Sequence, residues 1–264
     1  MTQTNHFWTI VWRFILVGWG LLLLVLCAGF VMQTTWAILL WPWPDGRLSY
    51  IFIGSILAAV ALPIIWIGWS GELAAQRAGG LDFVLSFTGI AATLGSLYLS
   101  GRSELLSFTL VALAAAVANL IVYLASRKSV FQDRRPTPAL VSFSFTFFAL
   151  ILTLVGGCLL LQFPVIFPWP LKPETSVLFG WIYLGAAVYF LHGIYYPSWA
   201  NAKGQLLGFL AYDVILLWPF YQHFSTVPLA HWLSLAVYSG VLVYSALLAL
   251  YFLFLHPSTR FSSA

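Results

Sequence analysis

Charged side chains are scarce in this chain. Lys, Arg, Asp and Glu together make up 7% of its 264 residues, whereas soluble domains contain about 25%. The eleven Lys and Arg residues are scattered along the sequence and form no basic patch. A chain of this kind lacks the polar surface of a soluble globular protein. It also lacks the clustered positive charge that nucleic-acid binding requires, so we expect no nucleic-acid partner.

Cysteine is nearly absent as well. Cys27 and Cys158 both lie inside apolar runs, which excludes a disulfide framework and the usual spacings of zinc ligands. The sequence contains no glycine-rich phosphate loop and no HExxH or CxxC motif. No lysine falls inside a predicted span, which would exclude a retinal Schiff base. We predict no catalytic residue and no metal ligand, and the sequence leaves any cofactor unknown.

Apolar residues dominate what is present. They form 62% of the chain, and the mean hydropathy is +0.96. A helix needs about 20 apolar residues to cross a bilayer. Eight runs of about that length occur, at residues 8–31, 48–70, 82–100, 104–126, 138–163, 175–196, 204–224 and 231–256. The sequence therefore predicts an all-α integral membrane protein of the cell membrane, in contact with the lipid bilayer. One bent helix over the third and fourth runs is the alternative.

The basic residues predict the orientation, because cytoplasmic loops carry an excess of Lys and Arg. With eight spans, the two termini and the loops after spans two, four and six share one side. That side carries eight basic residues and the other side three, so both termini are predicted to be cytoplasmic. The most polar loop, residues 127–137, is predicted to be a solvated linker, with a contact to anionic lipid as the alternative.

A short motif recurs at an offset of 126 residues. Pro42-Trp43-Pro44 returns as Pro168-Trp169-Pro170, and each copy follows a bulky apolar stretch. We interpret this as an internal duplication, with a first four-helix repeat at 1–126, a linker at 127–137 and a second repeat at 138–264. Four spans preserve orientation, so the repeats are predicted to be parallel and related by an axis along the membrane normal.

The two PWP motifs are predicted to lie on the external side. Proline fixes φ and lacks an N–H, so each motif forms a stiff non-helical turn, and tryptophan favours the headgroup level. We therefore predict six interfacial anchors: Pro42, Trp43, Pro44, Pro168, Trp169 and Pro170. In the alternative, residues 33–41 and 163–167 form external half-helices that cap a cavity.

Polar side chains inside spans are the best indication of a site. Asp213 is the only acidic residue predicted near mid-span. The other acids, Asp45, Glu72, Asp82, Glu104, Asp133 and Glu174, are predicted in loops or at span ends. We predict a ligand or ion path in the second repeat, formed by Asp213, His192, Tyr189, Tyr196, Tyr212, Gln205 and Tyr244. Within it we expect a hydrogen bond between Asp213 and His192, although a structural role for Asp213 remains equally open.

Three functions fit these features. The first is a small transport or permeation protein that uses Asp213. The second is a non-catalytic subunit of a larger respiratory or photosynthetic complex, with partner subunits in the membrane. The third is a quinone-interacting or other membrane enzyme component. Of the two classes, the sequence favours a protein that is not an enzyme. A water-accessible Asp213 would favour transport, a dry Asp213 the subunit, and several converging polar groups an enzyme.

Overall fold

The computed structural model describes residues 3–261. Within this range the chain is helical, and eight helices are long and apolar enough to cross a membrane. The long helices are α1 (Gln3–Val31), α3 (Arg47–Ser70), α4 (Gln76–Leu99), α5 (Leu106–Ser126), α6 (Ala139–Leu160), α7 (Pro173–Tyr195), α8 (Trp199–His223) and α9 (Leu229–Leu250). A four-residue helix, α2 (Thr35–Ile38), follows α1. The outermost ends of the two predicted repeats, residues 1–2 and 262–264, lie outside the described residues.

The eight spans are confirmed, but two of them begin earlier than predicted. The third span begins at Leu73 instead of residue 82, and the seventh begins at Trp199 instead of residue 204. The early starts place Asp82 and Lys203 inside helices, so the predictions of Asp82 at a span end and of no lysine in any span are wrong. The predicted runs end where polar side chains begin, whereas the helices include those polar residues.

The third and fourth spans are two helices and not one bent helix. The turn between α4 and α5 contains Gly101, whose φ of 111° lies in the left-handed region that favours glycine. Gly71 ends α3 in the same way, with a φ of 79° and an N–H that donates to the carbonyl of Ile67. Such left-handed glycines end helices and reverse the chain, so each span folds back beside its neighbour.

Consecutive helices pack as four hairpins: α1 with α3, α4 with α5, α6 with α7, and α8 with α9. Two further contacts join the hairpins, because α3 packs along α8 and α4 packs along α7. The helices α3, α4, α7 and α8 therefore form the centre of the bundle. The other four long helices, α1, α5, α6 and α9, each pack mainly on one central helix.

Glycine allows both contacts between hairpins to be close. A Cβ on Gly185 of α7 would lie 2.7 Å from the carbonyl oxygen of Asp82 in α4. A Cβ on Gly208 of α8 would lie 2.9 Å from the carbonyl oxygen of Ala59 in α3. Small residues at such contacts let helix backbones approach, which is how membrane helices gain packing energy without a hydrophobic driving force.

The two PWP motifs lie at one end of the bundle, which we call the PWP end. The indole of Trp43 donates from Nε1 to Thr175 Oγ1 at the start of α7, at 2.8 Å. The indole of Trp169 donates to Ser49 Oγ at the start of α3, at 3.1 Å. Both tryptophans are buried. These two predicted anchors therefore face protein, and each motif binds the opposite half of the chain.

The linker crosses the other end of the bundle, which we call the linker end. The buried carboxylate of Glu72 accepts from the backbone N–H groups of Gln132, at 2.9 Å, and of Asp133, at 3.2 Å. Thr137 N donates to the carbonyl of Pro197 at 3.0 Å. The linker is therefore attached to the helices at these points, although six of its eleven residues are exposed. The sequence pattern did not show that a carboxylate between α3 and α4 would bind this segment.

Ion pairs add to this attachment. Arg135 binds Asp133 at 2.6 Å, and Lys203 lies 3.7 Å from the same carboxylate. The hydrogen bond from Arg135 lowers the pKa of Asp133, and Asp133 in turn raises the pKa of Arg135. The contribution of Asp133 to stability is therefore present above the ordinary aspartate pKa of about 3.9. It is lost as the pH falls through the lowered value.

Replacing Glu72 with alanine is expected to release the linker. The variant leaves the N–H groups of Gln132 and Asp133 without their acceptor. Hydrogen bonds to a charged group contribute about 1.5–3 kcal/mol, so hydrogen exchange at these amides should accelerate by about tenfold to a hundredfold. Exchange mass spectrometry of peptides covering 131–137 measures this. The control is Glu104→Ala, an exposed carboxylate outside the linker end, and equal exchange in the two variants would contradict the assignment.

Candidate functional site

Asp213 lies near the middle of α8 and is completely buried. Its Oδ2 accepts a hydrogen bond from Ser245 Oγ of α9 at 2.8 Å. Its Oδ1 has no hydrogen-bond partner among the described residues. The carboxyl group thus points into the protein, as predicted, but one of its two oxygens is unsatisfied.

The predicted hydrogen bond between Asp213 and His192 does not form. His192 lies three residues before the end of α7, whereas Asp213 lies fourteen residues into α8. Because a short turn at the linker end joins the two helices, a rise of 1.5 Å per residue separates these positions by about 16 Å in depth. Both residues were predicted near mid-span because the seventh span begins five residues earlier than its apolar run.

Three tyrosine hydroxyls meet around Tyr212, the residue before Asp213 in α8. Tyr183 of α7 donates to the hydroxyl of Tyr238 of α9 at 2.5 Å. The hydroxyl of Tyr212, the neighbour of Asp213 in α8, also contacts that of Tyr238. Tyr212 was predicted for the path, but Tyr183 and Tyr238 were not, because their partners lie on other helices, which spacing within one helix does not identify.

A second polar group lies nearer the linker end. His192 Nδ1 lies 3.2 Å from Asn201 Nδ2, and both side chains are buried. Gln205, also buried, donates from its amide to the carbonyl of Tyr189 at 2.5 Å. The structure therefore brings His192, Tyr189 and Gln205 together as predicted, and it adds Asn201. The amide oxygens of Asn201 and Gln205 have no hydrogen-bond partner among residues 3–261.

The two other predicted path residues are exposed. The ring of Tyr196 lies beside that of His192, with centroids 4.7 Å apart and ring planes tilted by 40°. Tyr244 is exposed on the outer side of α9 and bonds to Ser144 of α6 at 2.7 Å between hydroxyl oxygens. Tyr244 therefore lines a groove between α6 and α9. Among the described residues it forms no hydrogen bond with Asp213.

Asp82 is the polar residue that sequence reasoning missed. It lies six residues into α4, about 9 Å along the helix, and is half-buried where α4 meets α7. Ser86 donates from Oγ to Asp82 Oδ1 at 3.0 Å. The spacing of four residues, which puts two side chains on one helix face, is visible in the sequence. It was overlooked because Asp82 was assigned to a span boundary.

Asp82 and Asp213 share an unusual environment. Each accepts a hydrogen bond from one serine, and neither forms an ion pair with Lys, Arg or His in the described part of the chain. Across residues 3–261 no three His, Cys, Asp or Glu side chains form a group that could hold a metal ion. The candidate site is therefore two carboxyl groups on helices of the central four, flanked by tyrosine and amide side chains.

Comparison of the chain with protein-family models, with curated proteins and with solved structures finds no match. The architecture is that of a polytopic membrane protein with eight spanning helices. Any function beyond that class rests on the geometry of the site.

Proposed function

We propose that this protein conducts or transports protons or small cations across the membrane through the central helices α3, α4, α7 and α8. The observation that carries the proposal is that Asp82 and Asp213 lie inside the bundle and pair with no Lys, Arg or His of residues 3–261. Acidic residues within spans otherwise pair with a base or mark an ion pathway. Asp213 keeps the role predicted for it, and Asp82 joins it nearer the linker end.

The physical reason lies in the desolvation of a carboxylate. An isolated charge inside a protein is so unfavourable that the group stays neutral or binds a counter-ion. A serine hydroxyl satisfies one oxygen but supplies no charge. Each aspartate is therefore stable when it holds a proton or a cation, and releasing that ion requires a pathway or a change of conformation. On α7 and α8, the last two turns before the linker end carry four further polar residues: Tyr189, His192, Asn201 and Gln205.

The complete burial of Asp213 supports the alternative function. In the state described here Asp213 has no contact with solvent, and a dry Asp213 is what we expect of a non-catalytic subunit in a larger membrane complex. Asp82 is less deeply buried than Asp213. An occluded state reconciles the burial of Asp213 with transport, because transport proteins open and close around a central site.

The transport proposal includes a duplicated architecture and an orientation. Residues 1–126 and 138–264 would be parallel repeats joined by the linker 127–137, with both termini cytoplasmic. Three pairs at the 126-residue offset support the repeats: Trp43 with Trp169, Ser49 with Thr175, and Ala59 with Gly185. In addition, the 126-residue offset relates α3 to α7 and α4 to α8. The contact of α3 with α8 in this way corresponds to the contact of α7 with α4.

Flux measurements in proteoliposomes test the function. The protein is reconstituted with an internal pH dye, and a potassium diffusion potential drives protons inward, with Na⁺ flux followed in parallel. We expect Asp82→Asn and Asp213→Asn each to reduce flux at least tenfold, because the amide can neither release a proton nor bind a cation. Glu104→Gln is the control, since Glu104 is exposed at the PWP end. Unchanged flux in both aspartate variants, or no flux in the wild type, would favour the subunit.

A further inference from the structure

A cavity of about 280 Å³ lies at the PWP end beside the second PWP motif. The segment 162–171 forms one wall, and the first turns of α7 and α9 form the others. Its lining is mainly apolar and includes Phe163, Phe167, Pro170 and Leu171. No Asp, Glu, Lys or Arg lines it, so the cavity offers no charge to an ionic ligand.

One buried imidazole lines this cavity. His231, in the first turn of α9, is 7% exposed, and its Nδ1 lies 2.8 Å from the carbonyl oxygen of Phe167. A carbonyl oxygen only accepts, so Nδ1 carries the hydrogen and Nε2 of the neutral ring carries a lone pair. Nε2 has no hydrogen-bond partner among the described residues. The backbone thus fixes the tautomer that leaves an acceptor for a ligand.

The first PWP motif is held without a histidine at the corresponding position. Under the 126-residue offset, His231 corresponds to Leu105, which is fully buried beside Trp43 in the first half. The first motif therefore packs with leucine at this position. In the second half, the imidazole of His231 takes the place of this leucine and lines a cavity. Packing alone does not require a polar side chain there.

We propose that this cavity binds a neutral single-ring molecule with a hydroxyl donor, that is, a phenol, which donates its hydroxyl hydrogen to His231 Nε2. The volume suits such a ligand, because a cavity of about 150 Å³ already holds benzene. The remaining volume admits a short substituent. The aromatic and proline walls suit a flat apolar ring, and a fixed acceptor favours a hydroxyl donor over an ether of the same shape.

The experiment uses 4-propylphenol as the probe and 4-propylanisole as its matched ether. The full-length protein, labelled with ¹⁵N-histidine and held in nanodiscs, is titrated with each compound, and empty nanodiscs give the partition background. His231→Asn assigns the resonance and serves as the binding variant, since its amide can still donate to the Phe167 carbonyl. Phe163→Ala shortens one wall at an exposed residue and leaves the imidazole intact.

We expect the phenol to shift the His231 Nε2 resonance saturably and to bind about tenfold more tightly than the ether, which is the loss expected for one hydrogen bond. His231→Asn should weaken phenol binding by about the same factor and leave the ether unaffected. Phe163→Ala should weaken both compounds. Equal affinity of phenol and ether, unaltered binding in His231→Asn, or the absence of saturable binding would each overturn the proposal.

Discussion

Replacing Gly185 with alanine is expected to destabilise the protein, although alanine is the better helix former. The new Cβ would lie 1.9 Å from Ser86 Oγ, 2.3 Å from Asp82 Oδ1 and 2.7 Å from the Asp82 carbonyl oxygen. The serine and carboxylate can rotate away, but the carbonyl belongs to the backbone of α4. The two helices must therefore separate, and overpacking of this kind costs about 1–3 kcal/mol.

Gly157 provides a control with the opposite sign. It lies inside α6, and a Cβ there would meet no atom within 4 Å. Gly157→Ala should therefore stabilise the helix by about 0.5–1 kcal/mol through its intrinsic propensity. Denaturation in mixed detergent micelles measures the free energy of unfolding of both variants. A stabilised Gly185→Ala variant would show that α4 and α7 do not pack as closely as described.

The same substitution also connects stability with the site. Because a Cβ on Gly185 would press on Ser86 Oγ and Asp82 Oδ1, the side-chain rotations that admit it would disturb the hydrogen bond that Asp82 accepts from Ser86 within α4. Gly185→Ala should therefore reduce ion flux if the transport proposal holds, whereas Gly157→Ala should not. The close contact thus positions the carboxyl group as well as the helices.

The sequence predicted the number and type of the elements because a bilayer imposes a length and a composition on every span. Eight apolar runs gave eight helices, and the errors fall at their polar ends. α4 and α8 begin with several small or polar residues, so hydropathy located their starts six and five residues late. This displacement hid Asp82 and Lys203 and placed His192 and Asp213 at a common depth.

The partners of the polar residues were less predictable, because they lie on other helices. Ser245 is 32 residues from Asp213, and Glu72 is 60 residues from Gln132. Helical spacing identifies neighbours within one helix, as it did for Tyr189 and His192. It gives no information on which helices adjoin, and that order depends on close contacts such as Gly185 with Asp82.

Replacing Trp169 with alanine is expected to be the most destabilising single change at the PWP end. Its ring packs against Phe167, Phe52 and Phe220, with centroids 4.6, 6.3 and 5.8 Å away. Removing a buried aromatic side chain costs about 3–5 kcal/mol. Trp169→Phe keeps most of that packing and loses the bond to Ser49, so it should cost about 1 kcal/mol. Trp69→Ala is the control, because Trp69 is 80% exposed.

Trp43 provides the second half of this argument. It is buried, donates to Thr175 and lies under the Arg102 guanidinium, 5.4 Å from the ring centroid. If the two tryptophans hold the halves together as one interface, loss of either should weaken the contribution of the other. The double variant Trp43→Ala/Trp169→Ala should then lose less stability than the sum of the single variants, by at least about 0.5 kcal/mol. Strict additivity would instead mean that each indole stabilises only the start of the helix to which it donates.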